Sequence, residues 1–143
     1  MTTHTAAVYS LIRPSSRMAQ AAVLIGFNAL LVVCSYISIT LPFSPVPITG
    51  QTFGILLVAM ALGRVRGTAV DLAYLAEGAA GLPVFSGGTA GMIKFFGPTG
   101  GYLIGFLGAA YLVCYLSDKG WDRNYLTSVA AMTIGTALIM VCG

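Results

Sequence analysis

Five apolar stretches, separated by short segments that are polar or rich in glycine and proline, dominate the pattern of the chain. They lie at 19–41, 48–63, 67–82, 98–116 and 125–142. A helix that crosses a bilayer needs about 17–25 apolar residues, so the second and third stretches are expected to tilt or to extend into the adjoining loops. The pattern predicts an all-α integral membrane protein, a multi-pass bundle with five transmembrane helices visible in this chain.

Composition supports the same class of protein. Of the 143 residues, 57% are hydrophobic and 8% are charged, and the mean hydropathy is +0.90. Soluble domains carry about 25% charged residues. The few charges form no basic face, so no nucleic-acid partner is expected. The three cysteines lie in apolar stretches without metal-ligand spacing, and the one histidine, His4, lies in a polar segment. The sequence therefore predicts neither a metal site nor a cofactor.

The chain divides into a tail and one membrane domain. Residues 1–18 carry Thr, Ser and Pro without an apolar period, which predicts a mobile cytoplasmic tail. Residues 19–143 are predicted to form the membrane domain. Its last apolar stretch runs directly into Gly143 with no polar tail, an ending typical of a fragment. We therefore expect the domain to be C-terminally incomplete.

Small residues are spaced regularly where the fourth helix is expected to begin, at Gly97 and Pro98. Proline suits the first turn of a helix, where its missing N–H costs nothing. From there Gly101, Gly105 and Ala109 recur at every fourth position and line one helix face. Such a stripe lets a neighbouring backbone approach closely.

Two further sets of small residues predict helix contacts. Gly50, Gly54 and Ala73 are expected to pack the second helix against the third. Ala22 and Gly26 in the first helix form a small-xxx-small pair, which indicates either ordinary packing within the bundle or a docking face. We take this pair as candidate contacts of a partner protein, since a bulky residue there would hold a partner helix away.

Two elaborate loops carry most of the polar chemistry. Three prolines make 42–47 a stiff loop, and Thr49, Gln51 and Thr52 follow it at the N-terminus of a helix. The other loop, 81–96, is rich in glycine but lacks the GxxxxGK[ST] spacing of a phosphate-binding loop. The sequence thus predicts a small-molecule site near these loops and no nucleotide site.

Two carboxylates and one asparagine lie within the predicted helices. A carboxylate at membrane depth costs ~2.5–3.5 kcal/mol on insertion scales, so it should face the bundle interior, water or a partner. Asp71 lies about one turn from Arg66, and we expect an ion pair near the surface. Glu77 lies one turn before the glycine-rich loop and is the better functional candidate. Asn28 needs an interhelical partner or water.

The basic residues predict an orientation, because Lys and Arg in short loops favour the cytoplasmic side. With the N-terminus inside, six of the seven basic residues are cytoplasmic: Arg13, Arg17, Arg64, Arg66, Lys119 and Arg123. Only Lys94 lies outside. We predict a multi-pass protein of the plasma membrane whose two elaborate loops meet, with Glu77, at one extracellular mouth.

Three motifs occur in these loops and the adjoining helix ends: VPITGQTF at 46–53, YLAEG at 74–78 with GLPVF at 81–85, and GPTGGY at 97–102. In this order and spacing, over about 19–116, the chain resembles the BioY family, the biotin-specific substrate-binding (S) components of energy-coupling factor (ECF) transporters. The resemblance implies a six-helix membrane protein that binds biotin on its extracellular side. It also implies a transmembrane coupling protein and two ATP-binding subunits as partners.

The resemblance and the residue chemistry together give a candidate biotin site. Its members are Gln51, Thr52, Tyr74, Glu77, Val84, Phe85, Lys94, Gly100 and Tyr102. Lys94, the only outside cation, is expected to meet the biotin carboxylate. Gln51, Thr52 and Glu77 are expected to meet the ureido group, and the aromatic and aliphatic members to cover the apolar part.

The chain departs from the family at two points. Family members have a further helix, preceded by a loop with a Gly-Asp and a following Lys that belong to the ligand site, and nothing here matches it. Some members carry a basic residue directly after the Gly-Gly of the long loop, where this chain has Thr89. Lys94 is expected to supply that positive charge.

Three alternatives belong to other functional classes. An intramembrane enzyme would use Asp71 and Glu77 as a carboxylate pair, but six residues turn them about 600° apart, onto different helix faces. No Ser–His or metal set accompanies them, so no catalytic residue is expected. A channel would need a ring of charge or a run of filter carbonyls, and neither is evident. A truncated, non-functional fragment would neither take up nor hydrolyse a ligand.

Overall fold

The computed structural model describes residue 12 and residues 15–143. This part of the chain forms four α-helices, each long and apolar enough to cross a membrane: α1 (Arg17–Tyr36), α2 (Gln51–Ala80), α3 (Gly100–Asp118) and α4 (Tyr125–Cys142). The side chain of Ser16 caps α1 by accepting a hydrogen bond from the backbone N–H of Ala19. Residues 1–11, 13 and 14 of the predicted tail lie outside the described residues, and its last two residues, 17 and 18, belong to α1.

The prediction of five separate helices is wrong for the described residues, because the second and third apolar stretches belong to the single helix α2. Gly63 is the one non-helical residue inside it, with φ of 77° and ψ of −177°. Glycine adopts such angles without a steric penalty. One residue thus replaces the five-residue turn that the sequence predicted.

The chain nevertheless folds back at Gly63. The side-chain nitrogen of Gln51 lies 2.9 Å from the hydroxyl of Tyr74, 23 positions further along. A straight helix would separate these positions by about 35 Å. A Cβ on Gly67 would lie 3.1 Å from the Cα of Ala59, so the backbones are also in close contact. We call 51–62 the first arm of α2 and 64–80 the second arm.

A short β-ladder closes the proline loop at its base, a detail that the all-α prediction omitted. Strands β1 (Ser38–Ile39) and β2 (Ile48–Thr49) pair antiparallel, with Ser38 opposite Thr49 and Ile39 opposite Ile48. Helix α1 therefore ends at Tyr36, before the predicted end of its apolar stretch at 41. The remaining elements are short 3₁₀ turns at Ser86–Gly88, Met92–Phe96 and Trp121–Arg123.

The small-residue stripe of α3 packs as predicted. A Cβ on Gly105 would lie 2.9 Å from the Cβ of Cys142 and 3.3 Å from the Cα of Ile139. Gly101 faces the backbone of Cys142, and Ala109 is fully buried. These contacts confirm that the stripe brings a neighbouring backbone, that of α4, close to α3.

The predicted contact through Gly50, Gly54 and Ala73 is wrong. A Cβ on Gly50 would lie 2.8 Å from the carbonyl oxygen of Cys34, and a Cβ on Gly54 would lie 2.9 Å from the Cβ of that cysteine. These glycines therefore admit α1 rather than the second arm. Ala73 is exposed.

Two polar residues within the predicted helices, Asn28 and Asp71, differ in their hydrogen bonds. Asn28 Nδ2 donates to Glu77 Oε1 at 2.7 Å, which confirms the predicted interhelical partner, whereas the buried Asn28 Oδ1 has no hydrogen-bond partner among the described residues. Asp71 is fully buried rather than near the surface as predicted, and neither carboxylate oxygen has a hydrogen-bond partner among the described residues. The fold-back explains its depth, because nearby Gly67 packs against both Ala59 and the sulfur of Cys114.

The elements define two ends of the bundle. At one end, Arg64 Nε lies 3.7 Å from Asp118 Oδ2, which joins the reversal in α2 to the end of α3. At the other, Tyr36 donates to the carbonyl of Pro83 at 2.6 Å, which joins the end of α1 to the loop after α2. We call the first the basic end and the second the loop end. Arg17 begins α1 at the basic end.

Candidate functional site

A cavity of about 490 Å³ opens at the loop end of the bundle. This volume lies in the range of small-molecule sites, about 300–1,000 Å³. Its described lining includes most of 41–52, five residues of the 85–99 loop and the facing sides of α3 and α4. Segments distant in sequence therefore build one concave surface.

Five of the predicted biotin contacts line this cavity: Gln51, Thr52, Phe85, Lys94 and Tyr102. They come from the start of α2, the loop after it and the first turn of α3. The helical fold-back and the β-ladder bring these separate segments to the same end of the bundle.

Four predicted contacts are not part of the lining. Tyr74 and Val84 are buried behind the wall, and Glu77 accepts its hydrogen bond from α1. Gly100 faces the backbone of Phe95, and a Cβ on Gly100 would collide with the carbonyl oxygen of Phe95. The motifs correctly indicated the segments, but motif membership does not give the direction of a side chain.

A buried hydrogen-bond network supports the wall of the cavity. Gln51 Nε2 donates to the Tyr74 hydroxyl at 2.9 Å, and that hydroxyl donates to the carbonyl of Val84 at 2.8 Å. Ser35 of α1 donates to the same carbonyl at 2.6 Å. The network thus connects α1, both arms of α2 and the loop that carries Phe85.

The ring of Phe85 is held by three neighbours. It packs edge-on against Tyr74 and Phe95, with ring centroids 5.8 Å and 6.0 Å away. Its third neighbour is Gly78, where any Cβ would overlap the ring. Glycine in the YLAEG motif therefore makes room for the aromatic side chain of the GLPVF motif. The ring forms a rigid apolar part of the cavity wall.

Lys94 is the one charged side chain among the described residues that line the cavity. It lies in the 3₁₀ turn Met92–Phe96 and is half-buried. The backbone N–H of Gly97 and the hydroxyl of Thr99 both donate to its carbonyl, at 3.4 Å and 3.5 Å. The turn thus positions an ammonium group at an otherwise neutral cavity, where an anionic ligand group would be favoured.

Sequence reasoning missed the contribution of α4 to the lining. Thr136, Ile139 and Met140 line the cavity, as do Leu103 and Phe106 of α3. The one available signal was the stripe that brings α4 close to α3. An apolar stretch does not itself indicate which of its residues faces a cavity.

Two other predictions concern chemistry away from the cavity. Among the described residues, no group of three or more His, Cys, Asp or Glu side chains is arranged to hold a metal ion. Ala22 and Gly26 are exposed on α1, and a Cβ on Gly26 would meet nothing within 4 Å. Packing within the described part of the bundle therefore does not explain this small-residue pair.

Comparison with known proteins gives a consistent result. The sequence model of the BioY family matches residues 4–143. The chain is 39% identical over 117 residues to a biotin transporter BioY of Thermotoga maritima, covering 82% of this chain and 67% of that protein. It is 44% identical over 122 residues to a biotin transporter BioY of Rhodobacter capsulatus, and this match covers 82% of this chain and 63% of that protein.

A solved structure is similar in fold. It is the crystal structure of the S-component for biotin from an ECF-type ABC transporter, with a TM-score of 0.78 and 28% identity. The match covers 86% of this chain and 68% of the other. Among the biotin transporters that it matches, the chain spans from 43% to 67% of their length.

Proposed function

The chain belongs to the BioY family, and on this premise we propose that it serves biotin uptake as the substrate-binding component of an ECF-type transporter. The observation that carries the proposal is the cavity at the loop end, with one cation, several neutral polar groups and an aromatic wall. Biotin has matching parts: a carboxylate, a ureido group and an apolar ring with an aliphatic chain.

Each part of biotin has a proposed complement among the lining residues. Lys94 pairs with the carboxylate, because a charge-assisted contact is the strongest available there. Gln51 and Thr52 meet the ureido group, and Phe85 and Tyr102 cover the apolar part. The remaining predicted contacts act indirectly, through the packing and hydrogen bonds that shape the wall.

The energy for uptake comes from partner proteins in this proposal. The sequence has no phosphate-binding loop of its own. We propose a transmembrane coupling protein and two ATP-binding subunits as partners, with Ala22 and Gly26 on the exposed face of α1 as contacts. The alternative of an intramembrane enzyme is not favoured, because the relatives are transporters and the chain belongs to a transporter family.

We propose an orientation in the plasma membrane with the N-terminus and the basic end in the cytoplasm. Arg17 and Arg64 lie at the basic end, whereas Lys94 lies at the loop end with the cavity. Because Lys and Arg in short loops favour the cytoplasmic side, the basic end, with Arg17 and Arg64, faces the cytoplasm. In this orientation biotin is captured from outside. The same proposal treats α2 as two short crossings, its two arms, within a bundle that has six helices in the complete protein.

The test is a calorimetric titration of biotin into the purified chain in detergent, with thiamine as a cationic vitamin that lacks a ureido group. We expect saturable one-site binding of biotin and no heat from thiamine. Uptake of labelled biotin by cells that make the chain with and without the coupling subunits tests the transport step. Absence of biotin binding, or equal binding of both vitamins, would overturn the proposed function.

A further inference from the structure

Two hydroxyl groups converge on the carbonyl oxygen of Val84. Ser35 Oγ lies 2.6 Å from it and the Tyr74 hydroxyl 2.8 Å from it, and both residues are fully buried. A carbonyl oxygen has two lone pairs and no proton. The Ser35 hydroxyl also lies 2.7 Å from the carbonyl oxygen of Val32, so its single proton is shared between two carbonyls. The Tyr74 hydroxyl donates to the Val84 carbonyl, and no second acceptor of its proton lies among the described residues.

The Tyr74 hydroxyl can therefore only accept a hydrogen bond from its other neighbour, the side chain of Gln51. A phenol carries one proton, and here it is committed to Val84. The side-chain amide of Gln51 lies 2.9 Å from the phenol oxygen. Only the NH₂ group of that amide can donate, so the chemistry of the network fixes which end of the amide faces Tyr74.

The opposite end of the amide, Gln51 Oε1, is then left for the cavity that Gln51 lines. We infer that Tyr74 is a positioning residue, which holds Gln51 as a hydrogen-bond acceptor toward a ligand N–H at the start of α2. This inference rests on the proposed function for the identity of the ligand, whose ureido group offers two N–H donors.

A fixed acceptor gives selectivity that a free amide or a hydroxyl does not. Thr52 lines the cavity nearby, and its hydroxyl either donates or accepts, so it accommodates ligands of both kinds. Gln51 cannot rotate its amide by 180° without placing its oxygen against the phenol oxygen of Tyr74. The site therefore discriminates against a ligand whose N–H is replaced by N-methyl or by oxygen.

A double-mutant cycle tests the coupling between these residues. The ligands are biotin and biotin methylated on its ureido nitrogens, and the variants are Gln51→Ala, Tyr74→Phe and both together. Each single change should weaken biotin binding about three- to tenfold, and the double variant should be no weaker than the Gln51 variant alone. The affinity for the N-methylated ligand should be nearly the same in all three variants as in the unmodified chain.

Ser35→Ala is the matched control, because it removes the other hydroxyl in contact with the Val84 carbonyl, one that also contacts Val32, and leaves the hydrogen bond between Gln51 and Tyr74 in place. If Tyr74 only held the loop in place, Ser35→Ala would weaken biotin binding as much as Tyr74→Phe does. The fold-losses of biotin affinity in Tyr74→Phe and Gln51→Ala would then multiply in the double variant. That result, in a protein that binds biotin, would overturn the inference and leave the proposed function standing.

A second measurement does not depend on biotin. The sequence contains two glutamines, Gln20 and Gln51, so glutamine-selective ¹⁵N labelling gives two side-chain amide signals. The buried amide of Gln51 should exchange its protons slowly, Tyr74→Phe should speed that exchange at least tenfold, and the half-buried Gln20 should not respond. An unchanged Gln51 signal in Tyr74→Phe would overturn the positioning role, whether or not the chain binds biotin.

Discussion

Asn28 Nδ2 donates a hydrogen bond of 2.7 Å to Glu77 Oε1, which connects α1 to the second arm of α2 at membrane depth. Because this contact engages one oxygen of the carboxylate and Glu77 is not part of the described cavity lining, we expect a structural role for Glu77. We predict that Asn28→Ala lowers the free energy of unfolding by about 1–2 kcal/mol, since it leaves that oxygen without its donor. Thermal unfolding in detergent measures the change.

Glu77→Gln is the matched variant, because it keeps an acceptor oxygen for Asn28. It should retain most of the stability and bind biotin within about twofold of the unmodified chain. A loss of tenfold or more in affinity at unchanged stability would return Glu77 to the ligand site that the sequence predicted for it.

A methyl group at Gly78 should displace the Phe85 ring. Any Cβ there overlaps that ring, which is buried between Tyr74 and Phe95 and cannot move aside freely. We predict that Gly78→Ala costs about 1–3 kcal/mol of stability and weakens biotin binding, because the ring is part of the cavity wall. Unfolding and titration of the same preparation measure both effects.

Gly108 provides the control for this substitution. A Cβ on Gly108 would have its nearest contact at 3.6 Å, so alanine fits there without displacement. Gly108→Ala should stabilise the chain by about 0.5–1 kcal/mol, because alanine is the better helix former. Equal behaviour of the two alanine variants would contradict the role assigned to Gly78.

Asp71 should tolerate loss of its charge. It is fully buried, and neither oxygen has a hydrogen-bond partner among the described residues. A buried charge without a compensating partner is unfavourable, so Asp71→Asn should raise the unfolding temperature. Asp118→Asn should lower it slightly, because Asp118 accepts from the backbone of Arg64 and pairs with its side chain. A lower unfolding temperature for Asp71→Asn would indicate that the carboxylate has a favourable partner.

The parts of this fold that follow local rules could be predicted from the sequence. The stripe through Gly105 predicted the close approach of α4, since small residues at every fourth position lie on one face. The last apolar stretch, 125–142, coincides with α4. Asn28 was expected to need an interhelical partner, because a polar amide is costly at membrane depth, and its Nδ2 has one in Glu77.

The errors concern how segments are placed in three dimensions. A single residue, Gly63, reverses α2, and no local pattern distinguishes this from a longer turn. Asp71 was expected near the surface because its distance along the chain from Arg66 is short, but the fold-back covers it. The buried position of Tyr74 and the lining role of Thr136 depend on packing partners that are distant in sequence.

The exposed pair on α1 predicts a specific effect on assembly. Leucine at both Ala22 and Gly26 should reduce co-purification of a coupling protein about tenfold, because new side chains would hold a partner helix away. Biotin binding should stay unchanged, since neither position lines the cavity. Ala21→Leu adds one bulky side chain at a neighbouring exposed position of α1 and should have a smaller effect than leucine at either Ala22 or Gly26 alone. Unchanged co-purification would remove the pair from the interface.

Lys94 provides the sharpest test of how biotin would be oriented, because it is the one charged side chain in the described lining of the cavity. If its ammonium group meets the biotin carboxylate, Lys94→Ala should remove a charge-assisted contact of about 1.5–3 kcal/mol, roughly ten- to a hundredfold in affinity. Biotin methyl ester carries no charge at that end, so its affinity should be low in the unmodified chain and nearly the same in the variant.

Lys119→Ala, at the basic end, is the control for a change of net charge and should leave both affinities unchanged. A lysine that only extends its ammonium group toward water would give equal biotin affinities with and without the substitution. That outcome would reject the carboxylate role of Lys94 and leave membership of the family untouched.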